Sequence, residues 1–241
     1  MSVNYIGSCF GLVCYWCINY VLLKYFTNNV FRLFGVFPKI DTKVYIYSCA
    51  VSLLHSLTTL MLITYITLNY PQERTDYYEI DDNIYGFSVL YTVSYMIFDT
   101  MYSYFTGMMR RDDIIHHGVG ISALAYILIF NDGVYVAFLF QWTELSTPFF
   151  IIFLVLKRLL KEKSVTNQYV ESIYQKVRIM FGLMFFFCRV CYLSYWFVIL
   201  IPMTYLLSHY IKLTLFAMMY GLNMYWFSLM VKNIIKRGSN D

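Results

Sequence analysis

Seven stretches of this chain stay apolar over about the thickness of a bilayer: residues 6–26, 44–68, 84–107, 114–130, 134–156, 179–200 and 211–231. A spanning helix needs roughly 17–25 such residues, each adding about 1.5 Å of rise. Lipid offers no water to backbone N–H and C=O groups, so a segment of this kind closes its hydrogen bonds internally and folds as a helix. The stretches occupy most of the 241 residues and leave no soluble domain. The chain is 60% hydrophobic and 13% charged, with mean hydropathy +0.57. An ordinary soluble domain carries about 25% charge. The expected fold class is an all-α polytopic membrane protein with about seven transmembrane helices.

The loops supply an orientation. With seven spans, one side receives Lys24, Arg32, Lys39, Lys43, Arg110, Arg111, Lys157, Arg158, Lys161, Lys163, Lys176, Arg178, Lys232, Lys236 and Arg237. The other receives Arg74, in the acidic loop "PQERTDYYEIDDN", and Lys212. Cytosolic loops carry the excess of Lys and Arg, so the N-terminus is expected outside or in a lumen and the C-terminus in the cytosol. The net charge of +4 reflects this orientation and does not indicate nucleic-acid binding.

The first stretch, "MSVNYIGSCFGLVCYWCINYVLLK", has no basic n-region and no small-residue cleavage site, so it reads as a span and not as a signal peptide. Cys14/Cys17 and Cys188/Cys191 have CxxC spacing but lie on apolar helices without ligand partners nearby, and are expected to be small buried hydrophobes.

Ionisable groups in hydrocarbon are costly and by default mark a pair, a pathway or a reaction site. Here they are His55, Asp99, Glu144 and Arg189 near mid-span, with Gln141 and Asn223 beside them and His116/His117 near a helix start. Two helices carry polar residues at a repeating 4-3 spacing, Ser48, Ser52, His55 and Thr59 on one and Ser88, Thr92, Tyr95, Asp99, Tyr102 and Thr106 on the other, and Ala137, Gln141, Glu144 and Pro148 repeat the pattern on a third. Such spacing gathers residues on one stripe. The stripes line a shared interior, where Ser and Thr serve helix packing and the ionisable groups are site candidates. Arg189 is expected to pair with Asp99 or Glu144, since a lone guanidinium at that depth is expensive.

In "RRDDIIHHGVG" (110–120), His116 and His117 are adjacent and point about 100° apart on a helix, so they do not readily chelate one metal. With four histidines in the whole chain, a di-iron hydroxylase or zinc hydrolase is poorly supported, and no metal is expected. Asp112 and Asp113 stand where N-terminal carboxylates belong. They precede His116 and His117 by four residues, close enough for a carboxylate to orient an imidazole. Arg110 and Arg111 form a basic rim suited to a phosphorylated cosubstrate. Spacing alone leaves two readings level: acid–base or nucleophilic chemistry, and histidines at the headgroup boundary of a capped helix.

The ordered set "SLLHSL" (52–57), "FDTMY" (98–102), "IIHHGVGISAL" (114–124), "ELSTPFF" (144–150), "FFFCRVCY" (185–192) and "LNMYWFSLMVK" (222–232) resembles the TLC-domain family. That domain is shared by ceramide synthases, translocon-associated proteins and lipid-regulatory proteins. The resemblance implies an N-terminal helix and loop (1–39), a TLC domain (40–236) whose helices two to seven form a barrel, and a short tail (237–241). It implies an endoplasmic-reticulum protein of membrane lipid metabolism or homeostasis. Ceramide synthases move an acyl group from acyl-CoA to a sphingoid amine at a His pair, which matches His116 and His117 here. By that resemblance Asp99 and Glu144 join the catalytic set, and acyl-CoA is the cosubstrate, with no bound cofactor. Substrate-binding expectations fall on His55, Gln141, Arg189, Asn223, Arg110 and Arg111. Two departures point to the broad TLC group rather than the ceramide synthase branch: "GVG" follows the His pair, and Thr147 stands where a second acid is expected.

The alternative is a non-catalytic lipid-binding, lipid-regulatory or trafficking protein. A seven-span receptor ranks below both, because the third and seventh spans lack DRY and NPxxY motifs and the last has no mid-span lysine. The expected partners are membrane lipids and not nucleic acid, with homo-oligomerisation left open.

Overall fold

The computed structural model describes residues 5–70, 83–130, 133–165, 167–200 and 207–238. Arg74 and its acidic loop, the last three residues of the tail, and the side chains of Lys236 and Arg237 lie outside the described residues. The described secondary structure is helical: α1 (Tyr5–Leu33), α2 (Ile40–Asn69), α3 (Asn83–Phe105), α4 (Arg111–Phe130), α5 (Val134–Phe140), α6 (Thr147–Lys161), α7 (Gln168–Phe185), α8 (Tyr192–Leu200) and α9 (Leu207–Gly238). A 3-10 turn (Gln141–Ser146) joins α5 to α6, and a π-helical segment (Phe186–Cys191) joins α7 to α8. Each join makes one long rod, so seven rods correspond to the seven apolar stretches.

Six rods are long and apolar enough to cross a membrane. The remaining one, α3, has 23 residues, but its tyrosines, serines and Asp99 make it more polar. Packing explains why. α1 lies over α2 and α3 and covers the outer face of α3. Trp16 of α1 is fully buried, and its indole N–H donates to Ser94 Oγ of α3 at 3.2 Å. A helix covered this way does not have to match the apolarity of lipid.

The other six rods close a ring. α2 packs on α3, α3 on α4, α4 on α9, α9 on α8, and α7 on α6, which returns to α2. Around the ring the spans run second, third, fourth, seventh, sixth, fifth. The result is an all-α polytopic membrane fold, as the apolar pattern predicts.

Three local features set the site. Gly107, at φ 67°, ends α3 with paired bonds from its own N–H to Tyr104 O and from Met108 N–H to Ser103 O. This left-handed stop suits glycine and turns the chain into α4 within a few residues. Asp113, in the first turn of α4, accepts the backbone N–H of Arg110 at 3.2 Å, a capping-box contact. In the fifth rod, Pro148 has no N–H to offer the Glu144 carbonyl, which receives Thr147 N–H instead. Losing that α-type bond favours the tighter 3-10 winding just before it.

Candidate functional site

Inside the ring is a cavity of about 160 Å³. Its polar wall carries His116 from α4, Gln141 and Glu144 from the 3-10 turn, Arg189 from the π segment and Asn223 from α9. Leu124, Ile127, Val136, Phe140 and Phe216 form much of the apolar remainder, and Lys212 also borders it. The two irregular segments therefore bring a carboxylate and a guanidinium side by side on that wall. π turns recur at functional sites because the extra residue re-aims side chains.

Arg189 is held on several sides. Its Nε donates to Ser146 Oγ at 2.9 Å, Nη2 to Thr147 Oγ1 at 3.1 Å and Nη1 to Asn223 Oδ1 at 3.3 Å. Glu144 Oε1 stands 4.0 Å from Nη2. Of the two charge partners expected for Arg189, the structure selects Glu144. Thr147, which replaces the acid of the resemblance, is thus an acceptor for this arginine. Gln141 is anchored on α3, donating to Ser88 O at 2.9 Å and Thr92 Oγ1 at 3.2 Å and accepting from Ser88 Oγ.

The two histidines part company. His116 borders the cavity, its ring 5.3 Å from that of Trp226, and its buried Nδ1 has no hydrogen-bond partner among the described residues. The His117 ring is centred 5.5 Å from that of His116 and tilted 57° to it. It turns to α3, with Nε2 3.5 Å from Asp99 Oδ2 and Nδ1 2.7 Å from Thr100 Oγ1. Ser48 Oγ of α2 donates to the other Asp99 oxygen at 3.5 Å.

This corrects one expectation. Asp113, four residues before His117, does not orient it; both Asp113 oxygens take the Arg110 guanidinium, from Nε and Nη2 at 3.0 Å each. A helix-start carboxylate beside an exposed guanidinium forms that short local pair, which leaves the inward-facing imidazole to a carboxylate on the neighbouring helix. Arg110 and Arg111 are exposed near the α4 start, away from the cavity lining.

His55 also stands apart. It is buried with its ring stacked on Tyr95 (3.9 Å, 7°) and near Tyr91 and Trp16, each 5.6 Å away, and is absent from the cavity lining among the described residues. Ser146, Trp226 and Thr100 are site residues that stripe spacing misses. Ser146 falls between the stripe positions because a 3-10 turn breaks the α period. Trp226 sits in an aromatic-rich last span with nothing to single it out. Thr100 is one residue off the Asp99 stripe.

A family model described as the TLC domain matches residues 46–232. No curated protein and no solved structure matches the chain.

Proposed function

The chain belongs to the TLC-domain family, and on that premise we propose that it is an acyl-CoA-dependent lipid N-acyltransferase in which His116 is the nucleophile and the Asp99–His117 pair the proton acceptor. The family's membership suggests a membrane lipid role. One observation carries the finer reading: His116 borders the intramembrane chamber with an Nδ1 that has no hydrogen-bond partner among the described residues, while its neighbour stands beside a largely covered carboxylate.

The chemistry follows from that division. An imidazole nitrogen of His116 attacks the thioester carbonyl, a C–N bond forms, and the C–S bond breaks to release CoA thiolate. The lipid amine then attacks the acyl-imidazole, the amide C–N bond forms, and the bond to His116 breaks. The amine proton passes to the Asp99–His117 pair. Splitting one difficult step into two is the gain of nucleophilic catalysis, and a positioned base contributes about 10²–10⁴-fold. Arg189, Glu144, Gln141 and Asn223 shape the polar wall against which the reacting groups lie, and the apolar remainder takes the chain. The basic excess of the loops that includes Arg110 and Arg111 supports a cytosolic mouth for acyl-CoA, a lumenal N-terminus and a cytosolic C-terminus. Residence in the endoplasmic reticulum is part of the same proposal.

The test uses the full chain in lipid nanodiscs with acyl-CoA and a sphingoid base, read by mass spectrometry. The expected results are an amide product and, with acyl-CoA alone, an acyl adduct on the peptide containing His116. Absence of amide at every chain length, or turnover that survives His116→Ala with His117→Ala, overturns the proposal.

A non-catalytic lipid-binding role is the second reading. It is favoured by the bonding of Arg189 to Ser146, Thr147 and Asn223, which keeps the chamber's polar wall in place without any reaction. In that case a change in cellular lipid composition on overexpression persists in the double-histidine variant.

A further inference from the structure

We infer that Thr100 fixes the tautomer of His117, so that Nδ1 carries the hydrogen and Nε2 is left bare beside Asp99, free to take a proton. Hydrogen counting carries the inference. Thr100 Oγ1 lies 2.6 Å from Met96 O, four residues back on α3, and 2.7 Å from His117 Nδ1. A hydroxyl has one hydrogen. Two oxygens at 2.6 Å need a hydrogen between them, because a carbonyl has none to give. The hydroxyl hydrogen is therefore committed to Met96 O, and Thr100 is left as an acceptor toward Nδ1. His117 Nδ1 must donate.

The consequence appears at the other ring nitrogen. In the neutral imidazole with hydrogen on Nδ1, Nε2 is a bare acceptor. It faces Asp99 Oδ2 at 3.5 Å, and an ionised carboxylate is acceptor-only. Both side chains are at least four-fifths covered (12% and 17% exposed), so an imidazolium formed there has Asp99 as its counter-charge. Nε2 is therefore the open position of the pair, and a proton taken there makes an imidazolium beside the carboxylate. Ser48 Oγ donates to Oδ1, which leaves Oδ2 to the histidine. Thr100 is a positioning residue: it acts through His117, and the second ring nitrogen, pinned from behind, is the site where a proton is stored and exchanged. Its part in turnover rests on the acyl-transfer reading above, whereas the proton assignment does not.

The assignment is read by nitrogen-15 solid-state NMR on the full chain in lipid. His117–Gly118 is the chain's single His–Gly step, so pair-selective labelling isolates this residue. The expected spectrum shows a protonated Nδ1 in the wild type and in Thr100→Ser, and loss of the fixed Nδ1–H in Thr100→Val. In the acyl-transfer assay, Thr100→Val lowers kcat by about tenfold to a hundredfold with KM little changed, and Thr100→Ser restores it. A wild-type Nδ1 without hydrogen overturns the inference, and that spectrum needs no variant to fold. If the wild type shows no turnover but Nδ1 is protonated, the transfer reading fails and the tautomer assignment stands.

Discussion

Asp99 reaches His117 from the neighbouring helix, Oδ2 to Nε2 at 3.5 Å, while the carboxylate four residues away along the chain, Asp113, is taken by Arg110. Asp99 and Asp113 thus have different tasks, one backing the imidazole that takes a proton inside the bundle and one closing the start of α4. Asp99→Asn is expected to lower acyl transfer at saturating acyl-CoA by about a hundredfold or more. Asp113→Asn is expected to leave it near wild type and to reduce helix-start stability by about 1 kcal/mol. Equal losses of transfer in the two variants would contradict this division.

Arg189 and Glu144 provide a stability test. Both are largely covered, at 14% and 21% side-chain exposure. Arg189→Met leaves Glu144 without its cation inside the bundle and is expected to cost about 3 kcal/mol, the low end for a broken buried pair given their 4.0 Å separation. Adding Glu144→Gln is expected to recover part of that loss. Thermal unfolding in one detergent compares the three proteins, and a double variant weaker than both singles would argue against charge pairing.

Acid stability depends in part on Glu162, which follows α6. Its carboxyl is held below its ordinary 4.5, first by the hydrogen bond from Thr42 and then by Lys39 N–H, Ser164 and the nearby Arg158. A folded-state value below the unfolded one gives stability that is fully present above the unfolded value and fades as pH falls through the folded value. The acid loss attributable to this contact therefore begins near pH 4.5 and grows below it. Glu162→Gln is expected to flatten the decline of thermal stability with acid while leaving the neutral-pH pH dependence unchanged. An identical acid slope in the two proteins would remove Glu162 from the account.

Gly120 tests the chamber itself. It borders the cavity, and a Cβ built there meets the terminal methyl and sulfur of Met96. Met96 ends in a flexible thioether, so Gly120→Ala is expected to be tolerated, with a cost of about 1 kcal/mol or less. Gly120→Leu fills the space between α3 and α4 and is expected to cost about 1–3 kcal/mol. It should also raise KM for long acyl chains more than for short ones. A uniform loss across chain lengths would mean that the acyl group lies elsewhere.

Apolar length carries most of the fold, because a bilayer permits so few alternatives; the seven rods follow from it. Stripe spacing is a weaker guide to the site. It places Gln141 and Glu144 on one wall, and both border the chamber. It also groups His55 with Ser48 and Ser52, yet Ser48 reaches Asp99 while His55 stacks among Trp16, Tyr91 and Tyr95. The period of one helix says which residues share a face but not which neighbour that face meets. Thr100 escapes notice for a related reason. As the residue after Asp99 it belongs to a different stripe, and its value comes from a histidine on another helix. The 3-10 and π segments change the angular step partway along two rods, so positions on either side of each cannot be read on one wheel.

The family match begins at residue 46, but the weatherproofing of α3 begins at residue 16. Trp16, on a helix outside the matched region, fills the space against Ser94, His55, Tyr91 and Tyr95. A protein trimmed to the family boundary would present serine and tyrosine hydroxyls of α3 to acyl chains, and a bare α3 surface invites capture by any foreign helix with a large aromatic to offer. The unit that is recognisable by descent is therefore shorter than the unit that is self-sufficient in a membrane. Swapping TLC domains between proteins should succeed only when each carries its own first helix with it.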